Sequence, residues 1–243
     1  KLWTVLTADG KLRPDDVQGQ CFDMEFVHRA QPGAVSITQS SEMGTVYSPD
    51  EVSALAEVAH ANNLALHMDG ARLSNAAASL HVPVRAFTVD AGVDLVSFGL
   101  TKNGAMAAES IIVLNGDRVE GVDFLRKTSM QLASKMRFLS AQFVAMLTDD
   151  LWLRSARHAN AMASRLHNGV GDLSGVTITQ SVDANAVFVL LPEQVASHLQ
   201  ERFHFYTWDQ ATGEVRWMCA WDTTESDVDD FVAAVRGEIA SGA

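Results

Sequence analysis

The 243-residue sequence predicts an α/β protein in which helices flank a mostly parallel central sheet, followed by a smaller α+β domain. Two observations support the sheet: short β-rich runs alternate with helical patterns, and connections of about a dozen residues or more require crossovers between strands. A third observation concerns the domains, because the glycine-rich residues 168–175 are typical of a linker. We therefore expect a large domain over residues 1–167 and a small domain over residues 168–243.

The elements follow from local patterns. Strands of the large domain are predicted at residues 34–39, 64–69, 93–99 and 111–114. A helix is predicted to begin after Ser48, with Pro49 in its first turn and Glu51 three residues after the cap. Residues 131–166 predict two helices with a break near residues 147–150. The small domain is predicted to contain strands near residues 176–179, 186–191 and 215–219, and helices near residues 193–201 and 226–239.

Composition excludes several classes of protein. Apolar residues make up 47% of the chain and charged residues 20%, which excludes a disordered or collagen-like protein. The formal net charge of −12 repels phosphate backbones, so nucleic acid is not an expected partner. No run approaches the roughly 20 apolar residues of a membrane helix, and no His/Cys cluster has metal-ligand spacing. Cys21 and Cys219 provide no disulfide framework, which indicates a reducing, cytoplasmic location.

Asp69 is the first candidate site residue. It ends a predicted strand and precedes Gly70, and ligand sites of open α/β sheets lie at such strand ends. His67, two residues earlier, should project from the same face of the sheet. Alternatively, Asp69 caps the following helix, since aspartate is among the best caps.

Lys102 is the second candidate, in a Thr-Lys-Asn-Gly segment just after the strand at residues 93–99. A lysine next to a buried strand can be desolvated and become a nucleophilic amine. The alternative is a surface lysine in a turn, because Asn-Gly is a frequent turn pair.

Arg72, Arg137 and Arg216 are the third set, each in an otherwise apolar setting. A buried guanidinium needs an anionic partner and suits a carboxylate or a phosphate, although an internal acidic residue could also satisfy it. Pyridoxal 5′-phosphate needs an amine for its aldehyde, an anion beside its pyridine nitrogen and cationic donors at its phosphate. Together the three sets match those needs.

The segments around Asp69 (His-Met-Asp-Gly-Ala-Arg-Leu) and Lys102 (Ser-Phe-Gly-Leu-Thr-Lys-Asn-Gly) resemble the low-specificity L-threonine aldolases. These are fold-type I pyridoxal-phosphate enzymes of the aspartate aminotransferase superfamily. The segments at residues 38–47, 134–139 and 221–224 also resemble that family, so the similarity extends over essentially the whole chain.

The resemblance implies a role for each candidate. Lys102 corresponds to the Schiff-base lysine, and Asp69 to the partner of the pyridinium nitrogen. Arg72 and Arg216 correspond to arginines that hold the substrate carboxylate. Arg137 corresponds to an arginine that reaches a cofactor phosphate across a subunit interface. His67, on the same face as Asp69, is expected among the cofactor-binding residues as a supporting hydrogen-bond partner, and the alternative is a proton carrier.

The implied reaction is reversible cleavage of L-threonine, L-allo-threonine or a related β-hydroxy-α-amino acid such as phenylserine to glycine and an aldehyde. A homodimer or homotetramer in the cytoplasm is expected, with the active site at the subunit interface. The alternatives are a β-eliminating lyase or amino-acid racemase on the same scaffold, and a truncated, catalytically silent homologue.

Two departures from the family pattern stand out. Glu42 occupies a position at which another branch has a histidine beside the substrate. The family's N-terminal portion, with its phosphate-binding loop and ring-stacking histidine, is expected to be missing, because the first residues resemble the segment after those elements.

Overall fold

Two four-stranded sheets form the framework of the molecule. A computed structural model describes residues 1–242. Its strands are β1 (Ala34–Thr38), β2 (Ala65–Gly70), β3 (Leu95–Gly99), β4 (Glu109–Val113), β5 (Thr177–Ile178), β6 (Ala186–Leu190), β7 (Tyr206–Asp209) and β8 (Glu214–Met218). Its α-helices are α1 (Pro14–Gln20), α2 (Pro49–Ala61), α3 (Leu73–Leu80), α4 (Val122–Thr128), α5 (Met136–Leu147), α6 (Leu151–Val170), α7 (Glu193–Gln200) and α8 (Glu225–Ala240).

The first sheet has the strand order β1-β2-β3-β4, and only β4 runs antiparallel to its neighbour. The predicted mostly parallel sheet is therefore confirmed. Parallel pairing brings the carboxyl ends of β1, β2 and β3 to one edge, where ligand sites of such sheets lie. The apolar core beneath includes the fully buried Leu55, Leu66 and Met68.

The start of α2 shows how a local sequence pattern defines an element. The Ser48 hydroxyl accepts a hydrogen bond from the Glu51 N–H, and the Glu51 carboxylate accepts one from the Ser48 N–H. Pro49 occupies the first turn, where no helical N–H is lost. The predicted start of this helix is confirmed.

A buried carboxylate ties the opposite edge of the first sheet together. Asp94, which is 1% exposed, accepts hydrogen bonds from the Leu66 N–H and the Asn115 side chain, and lies 2.8 Å from the His60 ring. These contacts join α2, β2 and the segments on both sides of the β3–β4 pair. They compensate a charge that would otherwise be costly to bury.

The second sheet has the order β5-β6-β8-β7 and is antiparallel throughout, and its buried side chains share one apolar core with those of α6, α7 and α8. This arrangement agrees with the predicted α+β organisation. The predicted break in the helical region at residues 131–166 lies between α5 and α6. The helix α6 contributes Met162 and Leu166 to the second core, while its Trp152 packs against the first. The domain division at residues 167 and 168 remains a prediction.

Three elements were not predicted from local patterns: α1, α4 and β7. The helices are only seven residues long, and β7 is a four-residue edge strand with no fully buried side chain. None of them carries the apolar periodicity that identifies longer elements. None of the helices within residues 1–242 combines the length and apolarity that crossing a bilayer requires.

Candidate active site

Asp69 lies at the carboxyl end of β2, between two parallel neighbours. It pairs in register with Thr38 of β1 and Ser97 of β3. Its Oδ1 accepts a hydrogen bond of 2.9 Å from the Ala71 N–H, whereas no group within residues 1–242 donates to Oδ2. Asp69 therefore does not cap α3, whose N-cap is Arg72, and one oxygen of this half-buried carboxylate is free to meet a ligand.

His67 is held between the neighbouring strands. Its Nδ1 lies 2.8 Å from the Ser36 hydroxyl on β1, and its Nε2 lies 2.9 Å from the Ser97 hydroxyl on β3. Burial lowers the pKa of His67, and the opposing effect of the Asp69 charge does not cancel it. The ring is therefore neutral at pH 7, with one nitrogen as donor and the other as acceptor. Its hydrogen-bond partners are the serines.

Lys102 lies in a one-turn 3-10 helix, Thr101–Asn103, immediately after β3 and Leu100. The buried Asn103 side chain holds this turn by donating a 2.7 Å hydrogen bond to the Trp152 carbonyl of α6. Lys102 itself is exposed, which agrees with the surface-turn alternative and not with desolvation by the buried strand. The strand ends there and the chain turns outward.

Gly104 allows the lysine turn to pass close beneath an indole ring. Its φ of 110° lies in the region that favours glycine, and an added Cβ would lie 3.2 Å from the Trp221 ring. Trp221 comes from the loop between β8 and α8. The contact therefore places the loop that follows β8 of the second sheet against the turn that carries Lys102.

Arg72 and Arg216 converge on one carboxylate, that of Glu42. The Arg72 Nη1 lies 3.1 Å from Oε1, and the Arg216 Nη1 lies 3.0 Å from Oε2. Arg72 precedes α3 in the first sheet's region, whereas Arg216 lies on β8 of the second sheet. The structure thus brings together two of the three candidate arginines, and the internal acidic partner left open by the sequence is Glu42.

Electrostatics keep Glu42 ionised. Partial burial by itself would raise the pKa of Glu42, but the charges of Arg72 and Arg216 outweigh it, assisted by the hydrogen bond from Arg72 and by the charge of Lys102. The resulting pKa lies below the ordinary value. The charge of Lys102 therefore lowers the pKa of the same carboxylate that contacts the two arginines.

Arg216 is also positioned by an aromatic stack. Its guanidinium carbon lies 4.3 Å from the centroid of the Trp208 ring, and the edge of Trp208 packs against Phe188 at 5.5 Å. Phe188 pairs in register with Arg216 across the β6–β8 ladder. Stacking on an indole face stabilises a cation and fixes the plane of its donors.

Unpaired buried polar atoms gather in the cleft around these arginines. The cleft is lined by residues that include Ser40, Glu42, Arg72, Asn185 and Arg216. Ser40 Oγ, Asn185 Oδ1 and Arg216 Nε are buried and have no hydrogen-bond partner within residues 1–242. Buried polar groups normally have hydrogen-bond partners. Three such groups without a partner line this one cleft, and this indicates a site for a polar ligand.

Arg137 lies apart from this constellation. It is an exposed residue near the start of α5, with its guanidinium carbon 5.5 Å from the Phe138 ring centroid. Within residues 1–242, no hydrogen bond or ion pair joins it to Asp69, Lys102 or the arginine cleft. Its expected role at a phosphate therefore remains a prediction.

Some site residues were missed by sequence reasoning. Ser40, Asn185, Trp208 and Trp221 were not predicted as site residues, and Glu42 was assigned no role at the site. No local signal identifies Asn185, which precedes β6 in an otherwise apolar stretch. Trp208 belongs to the unpredicted strand β7, and β7 pairing with β8 is what brings its ring to Arg216.

Comparison with protein families gives a match over most of the chain. The model of the beta-eliminating lyase family matches residues 2–194. The low specificity L-threonine aldolase of a Pseudomonas species is 41% identical over 237 residues, covering 97% of this chain and 68% of the relative. The protein of the same name from Pseudomonas aeruginosa is 42% identical, with the same coverage of both chains.

Comparison with solved structures agrees with this result. The structure of a threonine aldolase from Leishmania major superimposes with a TM-score of 0.89 at 28% identity, covering 98% of this chain and 70% of that one. The structure of mouse CSAD superimposes with a TM-score of 0.72 at 16% identity, which is a likeness of fold alone.

Proposed function

Because the chain belongs to the low-specificity L-threonine aldolases within the beta-eliminating lyase family, we propose that it cleaves L-threonine, L-allo-threonine and related β-hydroxy-α-amino acids such as phenylserine. The products are glycine and an aldehyde, and the reaction is reversible. The fold is that of the fold-type I pyridoxal-phosphate enzymes, as expected from the sequence. The enzyme is a lyase that depends on pyridoxal 5′-phosphate.

The residues at the strand edge fit this cofactor. Asp69 offers a free carboxylate oxygen, which suits a protonated ring nitrogen, and Lys102 offers an exposed amine, which suits the aldehyde. His67 would hold the strands on either side of Asp69 in place. When bound, the cofactor supplies an aldehyde for covalent attachment of amines and a ring that accepts the electrons released at Cα.

The arginine cleft carries the proposal for substrate binding. Arg72 and Arg216 already hold a carboxylate between two guanidinium groups, and a free amino acid presents the same group. A carboxylate held at two points cannot rotate freely, so the bonds at its Cα take a defined orientation. The unpaired Asn185 Oδ1 can accept a hydrogen bond from a substrate donor, and the Ser40 hydroxyl can donate or accept one.

We also propose that the enzyme is a homodimer or homotetramer in which Arg137 reaches the phosphate of a neighbouring subunit's cofactor. Exposed apolar side chains near Arg137 support an interface on this side of the molecule: Phe138 is 61% exposed and Val144 is 67% exposed, both on α5. Phe124 on α4 is 80% exposed. Light scattering of the purified protein would give its oligomeric state, and a monomer would contradict this proposal.

A cytoplasmic location completes the proposal. Cys21 and Cys219 are both free thiols, which is typical of a reducing compartment. Growth of cells with a tagged copy, followed by fractionation, would test it.

The direct test is an assay of the protein loaded with pyridoxal phosphate. Incubation with L-threonine should release acetaldehyde and glycine in equal amounts. Lys102→Ala should abolish the reaction, while Lys127→Ala, an exposed lysine on α4, should not. Borohydride reduction followed by peptide mapping should label Lys102.

The family name favours one second candidate, β-elimination, which would release ammonia and a 2-oxo acid instead. Measuring acetaldehyde and ammonia in the same reaction separates the two activities. Ammonia without acetaldehyde would contradict the aldolase proposal.

A further inference from the structure

Glu42 occupies the position proposed for the substrate carboxylate. Its two oxygens contact the Nη1 atoms of Arg72 and Arg216 at 3.1 and 3.0 Å. One carboxylate therefore bridges both guanidinium groups, which is the contact that a bound amino acid would make. The bridge spans the gap between the first sheet and the second.

The three side chains differ in exposure, and this difference distinguishes the two arginines, which belong to the cleft, from Glu42, which fills it. The side chains of Arg72 and Arg216 are 12% and 15% exposed, whereas that of Glu42 is 51% exposed. The arginines are therefore fixed parts of the cleft, and Glu42 reaches them from its rim. A half-exposed carboxylate can rotate into solvent and regain its full hydration, whereas the two guanidinium groups remain largely enclosed by the cleft.

Two carboxylates cannot share these arginine atoms. A ligand carboxylate on the same two Nη1 atoms would lie within contact distance of the Glu42 oxygens. Like charges at about 4 Å repel by about 1 kcal/mol even in water, and more strongly in a partly buried cleft. Binding of an amino acid at these atoms therefore requires Glu42 to leave.

The cleft retains donors that Glu42 does not use. Among the described residues, 1–242, Arg216 Nε and the Ser40 hydroxyl are buried and find no hydrogen-bond partner. A ligand atom other than the oxygens at Nη1 can accept a hydrogen bond from Arg216 Nε, because Nε–H and Nη1 lie on different sides of the guanidinium, and another can pair with the Ser40 hydroxyl. Glu42 contacts only the Nη1 atoms, so these further contacts favour the ligand over Glu42.

We propose that Glu42 is an internal stand-in for the substrate carboxylate, which pairs Arg72 and Arg216 in the free enzyme and must be displaced when the amino acid binds. The inference rests on the proposed function, because it takes the arginine pair as the carboxylate site. Glu42 is thus a positioning residue that keeps two buried cations paired and weakens substrate binding.

The test measures the affinity for glycine, the proposed product, by calorimetry. The unmodified protein and each variant are loaded with pyridoxal phosphate and compared. Glu42→Gln keeps the size of the side chain but removes the charge that competes, so glycine should bind about three- to tenfold more tightly. Glu225→Gln is the matched control, because Glu225, the first residue of α8, also pairs with an arginine, Arg165 of α6, at 3.1 Å. The control should bind glycine as the unmodified protein does.

Steady-state kinetics gives a second readout that a merely structural role would not produce. Glu42→Gln should lower KM for L-threonine while leaving kcat within about twofold, because the lost interaction exists only in the free enzyme. Glu42→Ala should change KM in the same direction, which guards against an effect particular to glutamine. Circular dichroism would check that each variant is folded.

Unchanged or weaker binding of glycine by both Glu42 variants would overturn the inference. If Glu42 competes with the ligand, its removal must increase the affinity for glycine. This result is distinct from failure of the proposed function, which is measured by acetaldehyde release from the unmodified protein. Glycine binding needs no cleavage of a Cα–Cβ bond, so the stand-in role can fail while the aldolase activity survives.

Discussion

The Nε2 atom of His67 lies 2.9 Å from the hydroxyl of Ser97, the residue that pairs in register with Asp69 across the sheet. With the Ser36 contact on the other side, the ring links all three parallel strands just below the carboxylate. His67 therefore supports the position of Asp69 without touching it. Its neutral state is the basis for a first prediction.

We predict that His67 makes stability depend on pH. Its pKa in the folded protein is lowered from the ordinary 6.5, so the unfolded chain binds the proton more readily. The free energy of unfolding should therefore fall as pH falls from about 7 to about 5, and the His67→Gln variant should show a shallower fall. Urea denaturation at each pH measures this, and identical slopes for both proteins would contradict it.

Asp69→Asn should separate charge from local structure. Asparagine keeps an oxygen to accept from the Ala71 N–H, but it loses the charge proposed to face the cofactor ring. We expect kcat for L-threonine cleavage to fall about 10- to 100-fold, the value of one charge-assisted hydrogen bond of about 1.5–3 kcal/mol. The melting temperature should change little.

The control for this substitution is Asp90→Asn, an exposed aspartate whose carboxylate pairs with Arg85. It should leave kcat unchanged. Equal activity of Asp69→Asn and the unmodified enzyme would remove Asp69 from the cofactor site.

Gly104→Ala should destabilise the turn that carries Lys102. Alanine at φ 110° is strained, and its Cβ would lie 3.2 Å from the Trp221 ring. We expect a loss of about 1–3 kcal/mol in the free energy of unfolding. Gly116→Ala provides the control, because its added Cβ meets no atom of residues 1–242 within 4 Å and its φ is not positive.

A Trp221→Ala background distinguishes the two causes. If the ring contact contributes, Gly104→Ala should cost less stability there than in the unmodified protein. A cost equal to that of Gly116→Ala in both backgrounds would show that this position has no special requirement for glycine.

Asp94→Asn should reduce stability without acting on the chemistry. The buried Asp94 accepts hydrogen bonds from Leu66 and Asn115 and faces His60, all at the edge of the sheet opposite Lys102. We expect a loss of at least about 2 kcal/mol in the free energy of unfolding. At a temperature where the variant remains folded, kcat per folded molecule should be unchanged, and a large loss of kcat would contradict this separation.

Local sequence patterns predicted those parts of the fold that depend on interactions between residues close together in the sequence. The capping box at Ser48 and the strand leading to Asp69 depend on residues within one or two turns, and both are found in the structure. The Glu42–Arg216 pair joins residues 174 positions apart, so no short pattern could reveal it. The exposure of Lys102 was left open by the sequence for a related reason, because the path of the chain after β3 depends on tertiary contacts such as that of Asn103 with α6.

The stack of Arg216 on Trp208 provides the last prediction. Arg216→Lys keeps the charge but loses the planar donors that contact Glu42 and stack on the indole at 4.3 Å. Because the arginine is proposed to bind the substrate carboxylate, KM for L-threonine should rise about 10- to 100-fold, as expected for loss of a hydrogen bond to a charged group worth about 1.5–3 kcal/mol. Trp208→Phe retains an aromatic face and should raise KM less than Trp208→Ala does, since the guanidinium keeps part of its support. Initial-rate measurements over a range of L-threonine concentrations would test the series, and a lysine variant with unchanged KM would place substrate binding elsewhere.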